Sequence, residues 1–309
     1  MAILGLVFRR ALDLFRRVTS PESKSSSEDN STGNGQPRLC HFDDLPKWYQ
    51  DNPYILSAYR PVSDSYHSCV YSLGYLHNES MNIYTHLTPA ILLALALPTL
   101  QIQISRIYHD APWTDRYMLT LTPMTALLTL TLSSTYHTFM NHSPYVSLNC
   151  LLFDYTGILA LILSSFISGI YVGFYESPIH QRMYWAMIAS LIAVSCLLVL
   201  HPRLQGPLYR PHRTTAFTLT ALSGFAPVIH GCVFHGVYEA FWNRGVMWWL
   251  AEGFWFPESS TWAKEKGPDG KMRGNFDVWG SSHQLFHCCV VLGAGCHCWG
   301  VWWAWRSAV

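Results

Sequence analysis

Charge is scarce in this chain. Only 13% of its 309 residues are Asp, Glu, Lys or Arg, where a soluble domain carries about a quarter. The formal net charge is +1, which leaves no basic surplus for a nucleic-acid partner. Nine cysteines are present, but none forms a CxxC pair, which argues against a thiolate zinc site. Cys150, Cys196, Cys232, Cys288, Cys289, Cys296 and Cys298 lie in or beside apolar segments and read as small buried hydrophobes. There is no HExxH, because Gln284 stands where a zincin has its Glu. There is no internal repeat. The first apolar run is a poor signal peptide, since Arg9, Arg10, Arg16 and Arg17 interrupt it.

What is present is hydrophobic length. Half of the residues are apolar and 15% are aromatic. Runs long enough for a bilayer core occur at His86–Ile104, Tyr117–Phe139, Leu148–Phe174, Tyr184–Leu200, Thr214–Phe234 and His283–Trp305. Any one of these would suit a buried helix of a soluble protein, but six together predict an all-α polytopic membrane bundle. Val246–Phe256 is a seventh, weaker candidate of about half a bilayer. Arg244 bounds it on one side and Pro257 and Glu258 on the other. The expected fold is therefore seven transmembrane helices with a short or truncated sixth.

Three regions follow. Residues 1–38 form a cytosolic tail. Its first 20 residues carry Leu4, Val7, Phe8, Ala11, Leu14, Phe15 and Val18 at helical spacing, which fits either a membrane-surface helix or a basic disordered tail. The Ser/Asn/Gly-rich stretch after it reads as a linker. Residues 39–85 are juxtamembrane, and residues 86–309 form the membrane domain. With seven spans, Lys and Arg divide fifteen to five between the two sides, placing the N-terminus inside.

His283 and His287 open the last span. Four residues is about 400° of helix, so both imidazoles share one face. Such a pair supplies two metal ligands from one helix. The second span ends with Ser133 and His137, and the third begins near Asp154. Given seven spans, His137, Asp154, His283 and His287 all lie at one membrane face. Three imidazoles form a sufficient zinc set with one position left for water. Ionisable groups in apolar runs are functional candidates, with each other as partners. His230 and His235 are about 140° apart on a helix. His86 and His297 lack a partner at helical spacing. These four read as ordinary hydrogen-bonded core histidines.

From about Tyr54 onward the chain resembles the progestin and adiponectin receptor family, which includes the fungal haemolysin-III-type proteins. The motifs that carry the resemblance are Asn78-Glu79-Ser80-Met81-Asn82-Ile83-Tyr84-Thr85-His86-Leu87, Ser133-x-x-x-His137, Asp154-Tyr155-x-Gly157, and Phe276-Asp277-Val278-Trp279 before Ser282-His283-Gln284-x-Phe286-His287. The resemblance implies seven helices, an inward N-terminus and Zn2+ held by His137, His283 and His287. It implies that Asp154 contacts zinc-bound water and that Ser133 lies beside it. The chain departs from the family at Pro257–Gly274, a polar insert in place of the usual second half of the sixth helix. The insert marks either a divergent half-helix or translated intron sequence.

Two principal functions follow. One is zinc-dependent hydrolysis of a lipid amide such as ceramide, with Asp154 and Ser133 as catalytic residues. The other is a receptor with structural zinc, answering to an extracellular protein or a sterol-like ligand. A role in lipid or zinc homeostasis is a third. The expected location is a multi-pass protein of the plasma membrane or endoplasmic reticulum.

Overall fold

The computed structural model describes residues 38–201, 204, 207–258 and 272–308. The amphipathic helix and linker expected before residue 38 lie outside the described residues, as does most of the polar insert, residues 259–271. The described chain is a helical membrane bundle. Its helices are α1 (Tyr66–Tyr71), α2 (Ser80–Ile107), α3 (Trp113–Phe139), α4 (Pro144–Gly173), α5 (Pro178–Leu200), α6 (Arg210–Leu222), α7 (Phe225–His235), α8 (Val237–Trp242), α9 (Val246–Glu258) and α10 (Ser282–Ala308). No strand occurs among the described residues; Cys40 and Tyr59 form one isolated antiparallel bridge.

Among the described residues, five segments are long and apolar enough to cross a membrane: α2, α4, α5, Pro211–His235 and α10. Many of their large apolar side chains, such as Ile91, Leu92, Leu95 and Val233, are exposed, as lipid-facing surfaces require. Helix α3 is long enough, but its threonines dilute it. They serve helix pairing. Thr122 Oγ1 meets Ser168 Oγ at 2.9 Å, Thr125 pairs with Ser164, and Thr129 Oγ1 donates to the Gly157 carbonyl at 2.8 Å. Hydroxyl bonds of this kind join helices inside a membrane.

Two expected spans differ in form. The first begins at Ser80 rather than His86, because Asn82 and His86 are buried inside the fold and not left at a wet boundary. The fifth is not one helix. It breaks at Ser223–Gly224 into α6 and α7. Pro227 has no N–H to give to Ser223 and its ring crowds that carbonyl. The backbone tightens there to three-residue bonds, Gly224 N to Ala221 O and Ala226 N to Ser223 O.

The chain divides into two compact units. The first comprises residues up to Thr88, Thr131–Asp154 and Glu258–Cys288. Leu45, Tyr49, Ile55, Tyr59 and Met140 form its buried apolar cluster. Arg60 is fully buried and caps the end of α3. Its guanidinium donates to the His137 carbonyl at 2.6 Å and the Thr138 carbonyl at 2.9 Å, a favourable place for positive charge. Asp277 accepts from the Leu56 and Ser57 amides, both at 2.8 Å, and from the Ser57 hydroxyl. Helix α10 starts in a capping box. Ser281 Oγ accepts from Gln284 N at 3.4 Å while Gln284 Oε1 accepts from Ser281 N at 3.3 Å. Gln284 is thus a helix-start residue.

The second unit comprises Pro89–Leu130, Tyr155–Pro257 and Cys289–Val309. Its core gathers Ile104, Leu119, Val172, Val301, Ala304 and Trp305. Buried Asp115 accepts from Tyr171, from Tyr175 at 2.9 Å and from Trp305 Nε1 at 2.7 Å. Helix α9, expected over Val246–Phe256, has 13 residues, about 20 Å of helix. Glycines let it pack closely. A Cβ at Gly173 would meet Trp249 at 3.3 Å, and one at Gly300 would meet Trp248 Cβ at 2.8 Å. Across this packing His297 Nδ1 meets Glu252 Oε2 at 2.8 Å.

Candidate metal centre

Within the first unit, α3 delivers His137 at its last turn and α10 delivers His283 and His287 at its first. One ligand atom from each ring lies within 4.8 Å of the others. His137 and His287 are buried, and His283 is exposed. The closest approach is His137 Nε2 to His283 Nε2, at 3.2 Å. With its hydrogen on Nε2, His283 can donate across this gap to His137 Nε2; with the hydrogen on Nδ1, both Nε2 lone pairs are free to meet a cation.

The other ring nitrogens are committed. His137 Nδ1 lies 2.8 Å from Glu79 Oε2. His287 Nδ1 lies 2.9 Å from the Asn82 carbonyl and 3.2 Å from Thr85 Oγ1. A carboxylate and a carbonyl only accept, so each Nδ1 carries the hydrogen. Each Nε2 therefore keeps its lone pair. The donor set fits a zinc ion: neutral imidazoles, oriented from behind by carbonyl and carboxylate groups.

Asp154 is buried and is not part of the three-histidine group. Its carboxyl is hydrogen-bonded to Ser133, and Ser133 Oγ lies 2.8 Å from His86 Nδ1. His86 stacks flat on His287, with centroids 3.7 Å apart and planes 7° from parallel. Its Nε2 is buried with no hydrogen-bond partner.

The structure thus brings His137, His283 and His287 together and links Asp154 to Ser133. It adds Glu79, Asn82 and His86, to which motif and spacing assigned no role. A signal was present. Positions 79, 82 and 86 follow the i, i+3, i+7 rule of one helix face. His230 bonds Tyr184 at 3.0 Å and His235 bonds the Gly173 carbonyl at 3.0 Å; both are hydrogen-bonded as expected, but half-buried rather than in the core.

Comparison with known proteins identifies the family. Residues 74–298 match the family model described as Haemolysin-III related. The chain is 31% identical over 286 residues to the ADIPOR-like receptor IZH2 of Saccharomyces cerevisiae, covering 92% of this chain and 90% of that one. It is 33% identical over 261 residues to the ADIPOR-like receptor IZH1 of Eremothecium gossypii, covering 84% and 82%. The adiponectin receptor protein of Drosophila melanogaster is 29% identical over 270 residues, 85% of this chain and 59% of that longer one. A match across most of the membrane helices and all three clustered histidines places the chain in the Haemolysin-III related family, with the ADIPOR-like and progestin and adipoQ receptor-like proteins.

Proposed function

We propose that this protein is a membrane hydrolase that uses Zn2+ to cleave a lipid amide of the ceramide type. One observation carries the reading: among the described residues the ligand group stops at three histidines, and of the buried carboxyls Glu79 is spent on His137 Nδ1 while Asp154 is bonded to Ser133. Structural zinc is closed by four protein ligands, and catalytic zinc keeps a position open. When bound, zinc supplies an activated water at neutral pH and polarises a carbonyl. The remaining work falls to this chain. Asp154 takes the proton of the attacking water and returns it to the amine leaving group. Ser133, held by His86 Nδ1, keeps the Asp154 carboxyl in place. The apolar helix surfaces suit a substrate with long acyl chains. The proposed topology is seven spans with a cytosolic N-terminus, in a plasma or endoplasmic reticulum membrane.

The names of the relatives favour a second reading, a receptor in which the metal is structural and a protein or sterol-like ligand acts from outside. The two readings part on one experiment. Purified protein is incubated with ceramides and the released long-chain amine is measured, with and without chelator. Release that stops on chelation, returns with zinc and is lost in Asp154→Asn supports hydrolysis. Zinc-loaded protein that releases no amine from several ceramides leaves the receptor reading.

A further inference from the structure

We infer that Glu79 is a positioning residue of the metal centre, fixing which nitrogen of His137 faces the ion; the inference rests on zinc binding at the three histidines. Glu79 stands immediately before α2, and its carboxylate is buried. Burying a carboxylate is costly unless it is fully bonded. Asn78 Nδ2 donates to Oε1 at 3.0 Å. Asn82 Nδ2 donates to Oε2 at 2.6 Å. His137 Nδ1 is the third partner, also on Oε2, at 2.8 Å. The N-terminus of α2 adds its favourable dipole. The carboxylate is therefore fixed before the imidazole meets it.

His137 is held twice. Arg60 binds its carbonyl and Glu79 binds its ring. With Nδ1 donating to a carboxylate, Nε2 is the only nitrogen available to a metal, and the negative charge behind the ring raises its basicity. His287 Nδ1 meets only neutral groups, the Asn82 carbonyl and the Thr85 hydroxyl. The two buried ligands are thus made unequal, with the acidic partner reserved for the one on α3. The ring-directed support comes from one stretch, Glu79 to His86, which bears on His137, His287 and Ser133 in turn.

The test is zinc affinity of the purified full-length protein, measured by chelator competition, with Co2+ absorption as a spectroscopic check. Glu79→Gln should weaken zinc by 10- to 100-fold, the usual effect of losing such a partner, and shift the Co2+ bands. The melting temperature of the metal-free protein reports whether the fold survives. Glu79→Asp keeps the buried charge but withdraws it by one methylene, and should weaken zinc by at least about threefold. The effect should also vanish in a His137→Ala background and persist in His283→Ala, which a purely structural residue would not do. Wild-type protein that takes up no zinc overturns the metal reading and this inference with it. Normal wild-type uptake, with either folded variant within about twofold, overturns the role of Glu79 alone.

Discussion

Two buried histidine–carboxylate pairs occur among the described residues, one in each unit, and they have the same length. His137 meets Glu79 at 2.8 Å and His297 meets Glu252 at 2.8 Å. Their second nitrogens differ. His297 Nε2 is taken by Ser168 Oγ at 3.2 Å, which itself bonds Thr122. His137 Nε2 faces only another ring nitrogen, His283 Nε2 at 3.2 Å. The His297–Glu252 pair is a closed polar chain tying α9 and α10 to α4 and α3. The His137–Glu79 pair turns its second nitrogen to a point where three rings converge. A carboxylate beside a histidine therefore does not mark a metal site; what marks it is the nitrogen left over once the carboxylate is served.

The largest effect should come from removing the convergent rings. Purified protein should hold about one zinc, and His137→Ala or His287→Ala should lose nearly all of it by elemental analysis. His297→Ala should keep it. Equal loss in His297→Ala would erase the distinction between the pairs. Next is the closed chain itself. Breaking a buried ionisable pair from one side costs about 3–5 kcal/mol, so Glu252→Ala should strongly lower stability in detergent while zinc stays bound. Glu252→Leu combined with His297→Leu should recover most of the loss. A single substitution costing under about 1 kcal/mol would show that this pair holds nothing together.

A smaller effect tests the packing that brings Glu252 to His297. Gly300→Ala places a methyl 2.8 Å from Trp248 Cβ, and such overpacking costs about 1–3 kcal/mol. Unchanged thermal stability would mean that α9 is free to shift.

The smallest effect concerns a histidine intermediate between the two cases. His77 Nδ1 accepts from the Glu79 amide at 3.1 Å, and its Nε2 has no partner. Burial pushes the imidazole down to about 3, and the Arg60 guanidinium pushes it further the same way. The unfolded chain therefore binds this proton first. Stability contributed by neutral His77 is complete above about pH 6.5 and falls as pH drops toward 3, by at most about 1.4 kcal/mol per pH unit. His77→Asn keeps an acceptor for the amide and removes the titration. Denaturant melts of metal-free protein should show a flatter acid limb; an identical slope would exclude His77 as a source of acid sensitivity.

The helical membrane class was legible because low charge and long apolar runs leave few alternatives. His283 and His287 were legible because i, i+4 spacing on α10 is a local property, and His137 because it stands, like them, at the end of an apolar run. Three features were not. The break in α6–α7 depends on one proline whose effect reaches back to Ser223. The roles of Glu79 and Asn82 depend on α3 and α10 arriving opposite them, which no spacing within one segment reveals. His86 was set aside for want of a partner at helical spacing. Its partners, Ser133 and His287, lie 47 and 201 positions along the chain. The hydroxyl ladder between α3 and α4 was visible only as a dilution of hydrophobicity, although it makes that span adhere.

The clamp at Asp277 has a consequence for how this gene tolerates change. The phase of His283 and His287 is set by two fixed points, Asp277 on the Leu56–Ser57 amides and the Ser281–Gln284 box. Both lie downstream of the insert. Residues gained or lost between 259 and 271 therefore leave the angular register of the ligands untouched. A single residue added between Ser281 and His283 would turn both rings by about 100°. Length variation is free on one side of Asp277 and prohibited on the other, so the clamp acts as a frame mark from which the last helix counts.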